Sequence, residues 1–156
     1  MKFKLFILFL IFTVLLNAQS KVFKGAWFDI QYPASFTEVC SLKSISSDGC
    51  ESAFFKSSDG LVEFYIFSPQ WKAAYTDIAL KSTEKQTQSK IVHKCSKTIK
   101  FWTIVDKSGQ YTRSYQEIAD ESTNWVIGLK YKNQAAYNKY KSAYLAFKKS
   151  LKQYAD

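Results

Sequence analysis

The 156-residue chain holds one arginine, one histidine, one methionine, two prolines and five glycines. Each scarcity excludes something. With so few glycines, none of them in a G-x-x-x-x-G-K arrangement, there is no loop to cradle a nucleotide phosphate. The lone His93 has no second histidine to complete a metal set. Its neighbour Cys95 stands two residues on with Lys94 between them, and no further ligand joins the two to complete a set. No C-x-x-C pair and no Gly-x-Ser-x-Gly elbow occurs, so neither a redox couple nor a serine nucleophile is indicated. The single Arg113 leaves the chain without the guanidinium forks that read bases and phosphates, which argues against nucleic acid as a partner. Among the carboxylates, Asp120-Glu121 sits in a turn-prone stretch and Glu117 falls opposite Lys100, so solvation and pairing account for them without acid/base chemistry. The expectation is a protein with no catalytic residues, no metal and no cofactor.

Long apolar runs are equally scarce. One stands at the start, Leu5 to Leu16 behind Lys2 and Lys4, followed by Asn17-Ala18-Gln19-Ser20. As a helix that run spans about 18 Å against a hydrocarbon core of ~30 Å, too short for an anchor and right for a secretory signal. Cleavage fits after Ala18 or Ser20, with Ala18 preferred, giving a signal peptide at 1–18 and one domain at 19–156. No cysteine stands at the junction to take a lipid. No later stretch could cross a membrane as a helix, so the mature chain is expected to be exported, periplasmic or secreted.

What is abundant is lysine and aromatic side chains. The formal charge is +9, spread along the chain rather than massed. Such a surface is either simply solvated or drawn to an anionic partner such as an acidic polysaccharide, a lipid surface or an acidic protein. Aromatics make up 17% of the residues, which favours strands and a stiff interior. The four tryptophans, Trp27, Trp71, Trp102 and Trp125, are read as buried by default.

Alternation predicts the strands. Phe28, Ile30 and Tyr32 alternate with Asp29 and Gln31 until Pro33 ends the run. A turn at 33–36 leads to a second strand, Thr37 to Ser41. Asp59-Gly60 marks a hairpin whose register sets Lys56 against Glu63, Phe55 against Phe64, Phe54 against Tyr65 and Ala53 against Ile66. The segment 71–80 is a short helix or packed loop anchored by Trp71 and Tyr75. Lys81 to Lys90 is an exposed strand continued by Ile91 to Cys95. A three-stranded meander follows (98–106, 111–119, 124–132), placing Ile99, Lys100 and Trp102 opposite Ile118, Glu117 and Tyr115. Asn133 is a helix N-cap, and Tyr137, Tyr140, Tyr144, Phe147, Leu151 and Tyr154 recur at helical spacing, with Lys139, Lys141, Lys148, Lys149 and Lys152 as the solvated, partner-facing side.

Three cysteines follow the leader, Cys40, Cys50 and Cys95, and allow three pairings. Cys40 to Cys50 closes the shortest loop. It excludes a tight hairpin centred on Asp48-Gly49, because that turn would separate the two Cα atoms by roughly 20 Å against a limit of ~7 Å. The bridge is the preferred alternative, with 41–49 as a wide loop and Cys95 left over.

An aromatic first strand running into Ile30-x-Tyr32-Pro33-x-x-Phe36, then hairpins, a final strand and a Tyr140-x-x-x-Tyr144-x-x-Phe147-x-x-Ser150-Leu151 helix resembles the PsbP-like fold, named for the extrinsic subunit of photosystem II. The resemblance implies an α+β domain: a central antiparallel sheet of about six to seven strands with a C-terminal amphipathic helix on one face, used as a binding scaffold. No functional residue carries over with it. The expected function is an exported, non-enzymatic binding or accessory domain for an unknown protein or anionic polymer. The alternatives are a small exported hydrolase or thiol-redox protein, and a structural subunit of an envelope assembly.

Overall fold

A computed structural model describes residues 19–154, and the expected leader, 1–18, lies outside them. The strands are β1 (Ser20–Lys24), β2 (Phe28–Pro33), β3 (Thr37–Cys40), β4 (Ser52–Lys56), β5 (Val62–Phe67), β6 (Glu84–Lys94), β7 (Lys97–Asp106), β8 (Thr112–Ala119), β9 (Asn124–Tyr131) and β10 (Lys152–Gln153), with one helix, α1 (Gln134–Lys149), before the last. Seven strands form one antiparallel sheet in the order β3-β4-β5-β9-β8-β7-β6. The predicted registers hold, with Phe55 opposite Phe64 and Lys100 opposite Glu117. The first strand, however, does not join this sheet. β2 is the middle of a separate three-stranded sheet, with β1 on one edge and β10 on the other.

Directly opposed residues of antiparallel strands share a face, so the registers sort the core. On one face Phe55, Phe64 and Leu129 line up across β4, β5 and β9. They join Phe28, Ile30 and Tyr32 of β2 and Ala136 and Phe147 of α1 in one buried cluster. Ring centroids of Phe147 lie 5.3 Å from Phe55 and 5.2 Å from Phe64. On the other face Phe54, Tyr65, Gly128, Tyr115 and Trp102 run across five strands. Gly128 is required there, since a Cβ would overlap the Tyr115 ring.

Residues 71–80 close over this second face with a single 3₁₀ turn at Thr76–Ile78. Asp77 accepts from Ser52 Oγ at 2.6 Å and from Tyr65 Oη at 2.7 Å. Asn124 exchanges two 3.0 Å bonds with the Ala73 backbone. Tyr75 stacks at 5.7 Å on Trp102, as an anchor should, but Trp71 is 58% exposed. The polar ties at Ala73 and Asp77 hold the segment down, so the expected tryptophan anchor is not used. Trp102 is buried, while Trp27 and Trp125 are half-buried.

Asn133 caps α1, its side chain accepting from the Ala136 N–H at 2.9 Å. The helix stops earlier than its aromatic stripe suggests. Ser150 turns its N–H to the Ala146 and Phe147 carbonyls and donates its hydroxyl to Phe147 O, and the chain leaves as β10. Tyr154 therefore lies beyond the helix, 51% exposed, with its hydroxyl on Asp29. Among the described residues no helix is long and apolar enough to cross a membrane.

Candidate functional site

A seven-stranded sheet is roughly 30 Å wide and a helix only about 10–12 Å across. The cluster containing β2 and α1 accounts for the face of β4, β5 and β9. The same face of β8, β7 and β6 is left as the floor of an open trough of about 530 Å³. Phe101, Thr103 and Val105 of β7 and Ser114 and Gln116 of β8 form that floor; Tyr137, Tyr144 and Lys148 of α1 form the wall. The trough continues over Gln88 toward Lys90 on β6, sharing Phe101, Thr103 and Ser114.

The chemistry of the lining is uneven. Thr103 and Ser114 hydroxyls bond each other at 3.0 Å, and Phe101 keeps 40% of its surface in solvent. The Lys148 ammonium donates to Gln116 Oε1 at 2.7 Å and lies 5.7 Å over the Tyr144 ring. Burial pulls its pKa below the usual lysine range, and burial likewise pushes the Tyr144 hydroxyl up. No aspartate or glutamate lines either part of the trough. A half-buried ammonium held only by a neutral amide and a ring face has donors and charge to spare for an anion.

The predicted partner-facing lysines are not brought together as one helix face. Lys139 is paired with Asp59 at 2.8 Å, a contact that also holds the Asp59 carboxyl well below its usual range together with Ser57 and Tyr140. Lys152 is not on the helix at all but in β10, opposite Asp29, because the helix ends at Lys149. Lys148 points into the trough, and Lys141 and Lys149 are exposed. The cysteine pairing is as expected: Cys40 and Cys50 form a disulfide with Cα atoms 5.8 Å apart, and Cys95 is free and exposed. The loop between them is wide, bridged at Lys43 and Cys50. His93 is exposed, its Nδ1 3.3 Å from Thr98 Oγ1. Among the described residues no three His, Cys, Asp or Glu side chains come together to hold a metal.

No protein-family model matches the chain, and no curated protein matches it by sequence. The solved structure of cyanobacterial PsbP (CyanoP) from Synechocystis sp. PCC 6803 does match, with a TM-score of 0.53 over 88% of this chain and 94% of that one, at 8% identity. The fold is PsbP-like. At that identity the likeness speaks for the fold alone, and the trough has to be understood from its own residues. Sequence reasoning had the means to find it within the PsbP-like fold. Setting Trp102 opposite Tyr115 already puts Thr103 and Ser114 on the other face, which one helix is too narrow to cover.

The missed residues with the strongest mutual contacts lie on the opposite face. Arg113 Nε and Nη2 donate to Glu84 at 2.8 and 2.5 Å, and Nη1 and Nη2 reach the Ile78 and Ala79 carbonyls at 2.8 and 3.0 Å. Tyr111 Oη adds a bond to Glu84 at 2.8 Å. Burial disfavours the Glu84 carboxylate, but the bonds from Arg113, the Lys81 N–H and Tyr111 outweigh it and lower its pKa to about 2. The group fastens the 71–80 segment to the sheet and is structural.

Proposed function

We propose that the protein is an exported, non-enzymatic binding or accessory domain that takes an anionic partner in the trough between α1 and the β6–β8 floor. The observation that carries this is Lys148: a half-buried ammonium in a lining that contains no carboxylate. Helix α1 serves in this role as the cover of one part of the sheet face and the wall of the other. Export is supported by the leader-like start and by the Cys40–Cys50 disulfide, which an oxidising compartment maintains. The non-enzymatic reading is supported by where the reactive side chains fall. His93 bonds a threonine and Cys95 stands exposed near a hairpin turn, and neither lines the trough.

The test is binding of polygalacturonate and of poly-L-glutamate to the mature protein across a salt series. Binding is expected to weaken steeply as salt rises, and Lys148→Glu to weaken it at low salt by about tenfold or more, the equivalent of one lost charge-assisted contact. Lys149→Glu, on the exposed helix surface, is the control and should cost far less. Affinity indifferent to both salt and Lys148→Glu rejects the trough as an anion site.

A further inference from the structure

The outer strand of the large sheet borders this trough, and its side chains are sorted in an unusual way. Among the described residues β6 is the last strand in the order and pairs only with β7, so one edge of its 11 residues carries no partner strand there. Lys85 is opposite Val105 and Lys90 is opposite Phe101. Val105 and Phe101 both line the trough, so both lysines belong to its side of the sheet. They are five positions apart, an odd offset, and in a regular strand they would stand on opposite faces. The register shift between Gln86 and Gln88 adds the residue that brings them to the same side. Val92 and Lys94, opposite Ile99 and Lys97, continue that row. The other face of the strand carries Gln86, Ser89, Ile91 and His93, with Ile91 56% exposed. From residue 85 to residue 105 there are five lysines and no carboxylate.

We infer that the free edge of β6 takes an extended segment of another protein as an added strand, one that alternates acidic and aliphatic residues. The inference rests on the trough as the site of an anionic partner and names the kind of partner. Backbone bonding to the open edge supplies the general affinity, and alternate side chains supply the choice. Acidic residues of the added strand fall beside Lys85, Lys90 and Lys94, at the mouth of the trough. Aliphatic ones fall beside Ile91 on the other face. A second copy of this chain is the wrong occupant. Two antiparallel β6 edges keep the same face on the same side, setting one lysine row against the other, the arrangement that protects edges from self-association.

The probe is a short capped peptide of alternating valine and glutamate, added to the ¹⁵N-labelled mature protein, with amide hydrogen exchange read residue by residue. Edge-directed amides between Lys85 and Lys94 are expected to slow by about tenfold or more at saturation. A peptide with proline at its centre should not bind. The exposed double variant Lys85→Glu/Lys90→Glu should lose the valine–glutamate peptide and gain its valine–lysine counterpart. Binding of polygalacturonate without binding of the peptide overturns strand addition while the trough reading stands. Peptide binding without protection of β6, or β6 protection through self-association before peptide is added, overturns it too. If neither probe binds, both fail.

Discussion

Arg113 faces inward because strand alternation puts it on the same side as Tyr115, and a guanidinium closed off from water needs a charge beside it. Glu84, 29 residues earlier in the chain, provides that charge. Replacing one partner leaves the other buried and uncompensated, so Arg113→Met is expected to lower the urea-unfolding free energy by about 3–5 kcal/mol. Arg113→Met combined with Glu84→Leu should recover much of the loss. The same titration repeated at lower pH tests the carboxylate. Its folded pKa is depressed from 4.5 to about 2, so its contribution is fully present above the unfolded value and fades as pH falls from about 4.5 toward about 2. The loss is on the order of 3 kcal/mol. Glu84→Gln should flatten that part of the pH profile; an unchanged profile would show that other carboxylates govern acid unfolding. The pair was not legible in the sequence because alternation reveals a face, whereas an ion pair between distant strands depends on how the 71–80 segment crosses it.

Among the elements, those with strong local chemistry were legible. Asp59-Gly60 and the alternation on either side fix the β4–β5 register, with Gly60 at φ 66° where the turn needs it. Asn133 signals the start of α1 through its side-chain cap. The end of the helix had no such signal. No glycine or proline follows Lys149 to mark a stop, so the aromatic spacing extends through Leu151 to Tyr154 and takes in Lys152, which belongs to β10. Charge spacing on a helix also says nothing of what stands opposite, so it does not set Lys139, held by Asp59, or Lys148, held by Gln116, apart from freely solvated neighbours. Phe147 is the residue on which α1 depends for burial, 1% exposed between Phe55 and Phe64. Phe147→Ala should cost about 3–5 kcal/mol in denaturant unfolding. A loss below about 1 kcal/mol would mean that α1 is not held by that contact.

For the molecule as a whole, the C-terminal tail is tied to β2 and to the end of β5 by contacts far apart in sequence. Lys152 and Gln153 pair with Asp29 and Phe28. Gln153 Nε2 reaches Ser68 Oγ at 2.9 Å, Ser150 Oγ accepts from Gln31 N at 2.8 Å, and Tyr154 N reaches Trp27 O at 2.9 Å. Truncation after Lys149 removes all of these. At about 1 kcal/mol for each well-formed bond, it is expected to lower stability by roughly 2–4 kcal/mol without abolishing the large sheet. Far- and near-ultraviolet dichroism with urea unfolding would measure it, and an unchanged midpoint would show the tail to be dispensable.

Because β2 lies between a strand just before it and one more than a hundred residues later, the domain cannot finish closing in the order in which a ribosome makes it. Until the tail emerges, β2 lacks one neighbour and Phe55 and Phe64 lack Phe147. A nascent chain would thus carry an unshielded aromatic surface for most of its synthesis, vulnerable to clumping and open to any holding factor that binds bare aromatic rings before the last strand arrives.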